Sequence, residues 1–240
     1  MASVQLDADR IIVLSSTAHG DDSHIVRVFS RTLGVIPLWV RIGKSKRARG
    51  EWAKWHPLAL LEVRSLSRKG SEGLFRASSV ERSLRLDAIH SDVRRSAVAF
   101  FLAEFLWRTF PEEAAHPEVV DWTWQWVEVL DQTDRPASVH VRYLAGMTKL
   151  LGIAPEAAPA KPYHGLELGT GEYVEVNHGD EMHLSPAATR TYWQLIQGVQ
   201  SPIPAAEQRE LVRGMVRYIQ LHLSGERPLK SLEVLEAIFQ

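Results

Sequence analysis

VIPLWVRI, Val35 to Ile42, is the stretch that decides how the chain begins to fold. Ile36, Leu38, Val40 and Ile42 alternate with Val35, Pro37, Trp39 and Arg41, the two-residue period of a strand with one buried face. Four more runs of strand length stand around it: RIIVLS (Arg10 to Ser15), HIVRVFS (His24 to Ser30), PLALLEVRSL (Pro57 to Leu66) and GLFRASSVERS (Gly73 to Ser83). Gly20, Gly34 and the Gly-containing stretches Gly43 to Gly50 and Arg68 to Gly73 separate them. Five strands so closely spaced predict a small barrel, forming a first domain over residues 1–83.

After Leu86 the period changes from two to that of a helix. SDVRRSAVAFFLAEFLWRTF places Val93, Ala97, Phe101 and Phe105 on one stripe, opens with Ser91 as cap and stops before Pro111. PEVVDWTWQWVEVLD from Pro117 and PASVHVRYLAGMTKLLG from Pro136 each start with a proline in the first turn, and the second closes at Gly152. SPAATRTYWQLIQG from Ser185, PAAEQRELVRGMVRYIQLHLSG from Pro204 and a short helix from Ser231 follow. Between them GLELGTGEYVEV reads as a hairpin turning at Gly169 to Gly171. The expected class is α+β, with the barrel followed by a mostly helical domain over 84–240 and a small β-hairpin module inserted at about 155–184.

Charge is distributed unevenly. From Arg41 to Arg76 there are ten Lys or Arg against three Glu, in a chain of 240 residues whose net charge is −1. Such a segment suits a polyanion. Its densest part, Lys44, Lys46, Arg47 and Arg49, is interleaved with Gly and Ser and reads as a loop that follows a phosphate backbone. Arg41, Lys54, Arg68 and Lys69 complete the candidate DNA contacts. Trp52 and Trp55 lie next to the loop, where a ring stacks on any base, but burial is the commoner use of so large a side chain and both are read as core packing. Trp122 and Trp126 are one helical turn apart and are expected to pack together, with Trp124 facing another surface.

With no cysteine, the chain has no disulfide, no thiolate nucleophile and no cysteine-held zinc. There is no GxxxxGK[ST] phosphate loop and no Ser, His and Asp arrangement, so neither an ATPase nor a triad hydrolase is expected. His164, His178, Asp180, Glu181 and His183 crowd the inserted module and define the alternative reading, a metal-dependent nucleic-acid hydrolase. Their spacing matches no helical HExxH pattern, and a surface loop is the preferred reading. A third reading is an interaction adaptor without DNA affinity. MASVQLDADR lacks the apolar stretch of a signal peptide and no run is long enough to span a bilayer, so retention in the cytoplasm is expected.

IIVLSSTAHGDDSHIVRVFSRTLG, the basic GKSKRARG, HPLALLEV, FFLAEFLWR, RYLAGMTKLLGIAP and HLSGERPLKSLEVL occur in an order that resembles the RecO recombination mediator proteins of bacteria. Ser30 stands where that family usually has Thr, and Asp21 where it has Glu. The resemblance spans nearly the whole chain. It implies an OB-fold barrel, a helical domain and an inserted module which in many members holds zinc on four cysteines; this chain resembles the metal-free variant, with no cofactor. It further implies a non-enzymatic protein that binds single- and double-stranded DNA, anneals complementary strands and assists loading of RecA on DNA coated by single-strand-binding protein (SSB). RecR and the acidic SSB tail are the implied protein partners. For that tail, which ends in a Phe carboxylate, the candidates are Arg108 and Arg142 with Leu144, Met147 and Leu151 as the apolar pocket.

Overall fold

The structure is a computed structural model and describes residues 5–20, 22–41, 52, 54–68, 73–176, 182–223 and 227–239. Five strands, β1 (Gln5–Ala18), β2 (Ser23–Ser30), β3 (Gly34–Arg41), β4 (Leu60–Arg68) and β5 (Phe75–Arg82), close into a barrel in the order β1-β2-β3-β5-β4. All neighbours are antiparallel except β3 and β5, which run parallel and meet at one register pair, Leu38 with Phe75. The alternation around Val35 does what it predicted: Ile36 and Leu38 point into a core shared with Ile11, Val26, Leu61 and Phe75. Each such fully buried aliphatic side chain contributes about 1.5–3 kcal/mol of burial free energy.

β1 runs well beyond the expected Arg10 to Ser15, and an irregularity between Val13 and Ser15 bends it around the barrel. Ile11 to Leu14 are all buried, because one face looks inward and the other is covered. β4 begins at Leu60 rather than Pro57, since the chain turns through Leu58 at φ +60°. The β2–β3 turn is organised by Asp9, whose carboxylate accepts hydrogen bonds from the hydroxyls of Ser30 and, at 3.0 Å, Thr32. Gly34 ends that turn at φ +76°, and a Cβ there would lie 2.1 Å from the Ala114 carbonyl oxygen, so no other residue fits.

Seven α-helices follow among the described residues: α1 (Asp87–Ser91), α2 (Val93–Thr109), α3 (Pro117–Gln132), α4 (Val139–Leu150), α5 (Pro186–Ile196), α6 (Ala205–Leu223) and α7 (Lys230–Ile238). The long Phe-rich helix is capped by Asp92, which accepts from the Arg94 and Arg95 amides, and not by Ser91, which ends the short α1. Its stripe begins at Ala97; Val93 is exposed, lying in the first turn ahead of the packed surface. Trp122 and Trp126 pack with ring centroids 5.5 Å apart while Trp124 is buried elsewhere, as their spacing predicts.

Two compact units result, one of Met1–Thr133 with Leu229–Ile238, the other of Asp134–Pro228 with Phe239–Gln240. In the first, α2 and α3 pack on the barrel strands, and Phe110 covers Phe29 with ring centroids 5.4 Å apart. Glu104 of α2 caps α7, accepting the Ser231 amide at 2.8 Å. The second unit is built from α4, α5 and α6 with the hairpin β6 (His164–Leu166) and β7 (Tyr173–Glu175). Its turn is held by Glu167, whose carboxylate accepts the Gly169 amide at 2.9 Å and the Thr170 amide at 2.6 Å.

Candidate nucleic-acid interface

Along the outer face of β3, cover is lost from one end to the other. Val35 is buried beneath the segment at Glu112, Pro37 sits across from Arg27 of β2, Trp39 is partly exposed and Arg41 is exposed. The parallel pairing of Leu38 with Phe75 brings the start of β5 beside this row, and the Arg76 guanidinium lies over the Trp39 ring, 4.7 Å from its centroid. Phe75 is also the register partner of Arg68, whose guanidinium sits 4.7 Å from the Phe75 ring and bonds the Glu113 carboxylate. β3 ends at Arg41 on the uncovered side, where the chain enters the first basic stretch, whereas Arg68, which leads into the second, is level with Leu38 and bonds Glu113, whose amide donates to the Val35 carbonyl at the covered start of β3. Neither Arg41 nor Arg76 has a carboxylate partner among the described residues.

Of the expected DNA contacts, Arg41 is exposed at the end of β3, while Arg68 is bonded to Glu113 nearer the start of that strand. Lys54 is described too, with its ammonium donating to the Val80 carbonyl at 3.0 Å. Lys44, Lys46, Arg47, Arg49 and Lys69 lie outside the described residues. Trp55 is 6 % exposed and belongs to the barrel core, with Trp52 packed against the same core and its ring 4.3 Å from that of His24. Both are packing residues, as read. Sequence reasoning missed Trp39 and Arg76 as a pair. Trp39 was visible as an outward position of an alternating strand, but nothing local shows that β5 returns beside β3.

A second arginine–aromatic group lies on the same unit. Trp107 of α2 carries the Arg27 guanidinium at 4.7 Å and that of Arg108 at 4.4 Å. Each of these arginines also faces an acid, Glu112 at 3.9 Å and Glu104 at 4.0 Å respectively.

The opposite character prevails in a cleft of about 790 Å³ between the outer faces of β1, β4 and β5 and helix α3. There Arg31 makes a two-pronged bond to Asp121, both contacts at 2.9 Å, and this holds the Asp121 carboxyl below the usual carboxylate range. Arg10 lies over Trp124 and 3.8 Å from Glu62. Carboxylates match guanidinium groups here, so the cleft offers no surplus of positive charge to a phosphate backbone.

In the second unit Leu144 and Met147 are fully buried core residues with no surface for a peptide. Arg142 donates to the carbonyls of Val199 at 3.0 Å and Ser201 at 2.6 Å, and burial lowers its pKa. It holds a backbone segment, and of the three apolar residues expected to line a pocket beside it Leu144 and Met147 face the core while Leu151 is half-buried. In the hairpin module His164 pairs across the strands with Glu175, and His183 bridges to Glu167, whose carboxylate is occupied by the turn. His178, Asp180 and Glu181 lie outside the described residues. Among the described residues no three His, Asp or Glu are grouped to hold a metal, and no helix is long and apolar enough to cross a membrane.

A closed five-stranded barrel of this strand order followed by helices defines an OB-fold protein with an attached helical region. Comparison with known proteins agrees in both parts. Residues 1–82 match the family model described as recombination protein O N terminal, and residues 90–233 the one described as recombination protein O C terminal. Among curated proteins the chain is similar to "DNA repair protein RecO" of Flavobacterium johnsoniae, 25% identical over 233 residues, covering 96% of this chain and 98% of that one. It is likewise similar to proteins of the same name from Bacteroides fragilis, 28% identical with 95% and 97% covered, and Porphyromonas gingivalis, 27% identical with 96% and 98% covered. The chain belongs to the recombination protein O family, which places it among proteins of recombination and repair.

Proposed function

We propose that the chain is a non-enzymatic mediator of recombinational repair that binds single- and double-stranded DNA on the β3–β5 face of its barrel. In this reading it anneals complementary strands and assists RecA loading on SSB-coated DNA in the cytoplasm, at the nucleoid. RecR and the SSB tail are its protein partners, and no cofactor takes part. The family supports the role, and one observation supports the place: on the β3–β5 face Arg41 and Arg76, neither with a carboxylate partner among the described residues, stand beside the partly exposed Trp39, and the first basic stretch leaves β3 there. Contacts to phosphates from such a surface are sequence-tolerant and dominated by counterion release. The division at 83/84 is retained in functional terms, with DNA on the barrel side of it.

Fluorescence anisotropy over a salt series tests this. Log affinity for any oligonucleotide is expected to fall steeply with log salt. Neutralising Lys44, Lys46, Arg47 and Arg49 together lowers the slope by roughly 3–4 if all four meet phosphates. A flat salt dependence in the parent protein, or an unchanged slope in the variant, removes the basic stretch from the site.

A further inference from the structure

We infer that Trp39 is the stacking platform for an unpaired base and that Arg76 is the movable cover of that platform, so that this pair sets the preference for single strands. The inference rests on the DNA-binding reading above and adds to it which residue distinguishes one strand from two. Trp39 stands, partly exposed, on the outward row of β3, four residues beyond the Glu112 segment's pairing with Val35. Its neighbour across the β3–β5 seam is Arg76, exposed, over the ring at 4.7 Å, and without a carboxylate among the described residues to return to. The seam itself is held by one register pair, Leu38 with Phe75.

Relative magnitudes decide what happens when a strand arrives. A guanidinium as exposed as that of Arg76 over a ring is favoured by a factor of about two to five, whereas a base stacked on an aromatic side chain contributes roughly five- to 150-fold. A base therefore displaces Arg76 from the accessible face, and the displaced guanidinium, still beside the strand, takes a phosphate. A duplex cannot use the ring without first unstacking and unpairing a base. It meets only the cations. The tryptophan thus contributes to single strands alone, while Arg76, Arg41 and the basic stretches serve both.

The experiment compares Trp39→Leu, Trp39→Phe and Arg76→Ala with the parent protein, using a labelled dT oligonucleotide and a labelled duplex of equal length over the same salt series. Leucine keeps the apolar cover and removes the π face; phenylalanine keeps both. Trp39→Leu is expected to weaken oligo-dT binding by roughly tenfold, with duplex affinity within twofold of the parent and both salt slopes unchanged. Trp39→Phe should recover most of the loss. Arg76→Ala is expected to lower both slopes by about one. Equal weakening of both substrates by Trp39→Leu, or of neither, overturns the inference, as does loss in Trp39→Phe equal to that in Trp39→Leu. Failure of the parent protein to bind either substrate would instead overturn the DNA-binding reading, so the two failures are told apart.

Discussion

The cationic side chains of the barrel's β3–β5 face and those of the second unit are alike in sequence and opposite in use. Arg76 rests on an aromatic face and Arg41 stands exposed at the end of its strand, each without a carboxylate among the described residues. Arg142 instead holds the Val199 and Ser201 carbonyls. His140, on the same helix, is buried with its ring 5.6 Å from that of Phe239. A count of Lys and Arg does not locate a binding face; what each one is already bonded to does. Cations of the first kind are available to a ligand at little structural cost, and those of the second kind are part of the fold.

The largest effect expected from this difference is at His140. Burial lowers its pKa to about 3, whereas an unfolded histidine titrates near 6.5. Between those values the unfolded chain binds a proton that the folded one refuses. The stability from neutral His140 is therefore complete above pH ~6.5 and is lost as pH falls from there toward 3, by about 1.4 kcal/mol per pH unit. Denaturant unfolding at pH 7.5 and pH 5 should show about 2 kcal/mol lost by the parent protein beyond the loss in His140→Leu. Equal losses in the two proteins would mean that other groups carry the acid sensitivity.

Next in size is Arg142→Ala. Removing two charge-assisted hydrogen bonds to backbone carbonyls on a partly exposed site should lower stability by about 1–2 kcal/mol, seen as a shifted denaturation midpoint. The slope of DNA affinity with salt should not move. Were the slope to fall by one with stability intact, Arg142 would belong with Arg41 and Arg76, and the comparison between the two units would fail.

How much of this was legible follows from how local each signal is. The strand of Val35 to Ile42 and the helices opened by Pro117 and Pro136 carry their own pattern, and the structure follows it closely. Trp55 as core and the Trp122–Trp126 pair were readable for the same reason. The cap of α2 was misplaced by one residue because Ser91 and Asp92 are both good capping types, and only the short α1 before them decides between the two. The Trp39–Arg76 pair was not legible at all. It is made by a parallel β3–β5 register, a consequence of barrel closure that no local stretch encodes. That Leu144 is core and that Arg142 is engaged by Val199 and Ser201 was hidden for a similar reason, since the partners of Arg142 arrive from a distant segment.

The smallest effect separates position from partner. Arg31 lies on the barrel like Arg41 and Arg76, yet it is bonded to Asp121 in two-pronged geometry at 2.9 Å with both side chains more than a third exposed. An ion pair so exposed contributes less than ~1 kcal/mol, so Asp121→Asn should shift the denaturation midpoint only slightly at neutral pH. The Asp121 carboxyl is held below its usual range chiefly by the Arg31 hydrogen bond. Its contribution is thus complete above the unfolded carboxylate pKa near 4 and disappears as pH falls through the lower folded value, so parent and variant should converge in acid. DNA binding gives the sharper reading. Arg31 released from Asp121 still faces a cleft that contains Asp9, Glu62 and Glu81, and it should not join a phosphate track. An unchanged salt slope in Asp121→Asn is therefore expected. A slope steeper by about one would mean that the partner alone had kept Arg31 from DNA, and that the cleft beside α3 is a second face of the nucleic-acid surface.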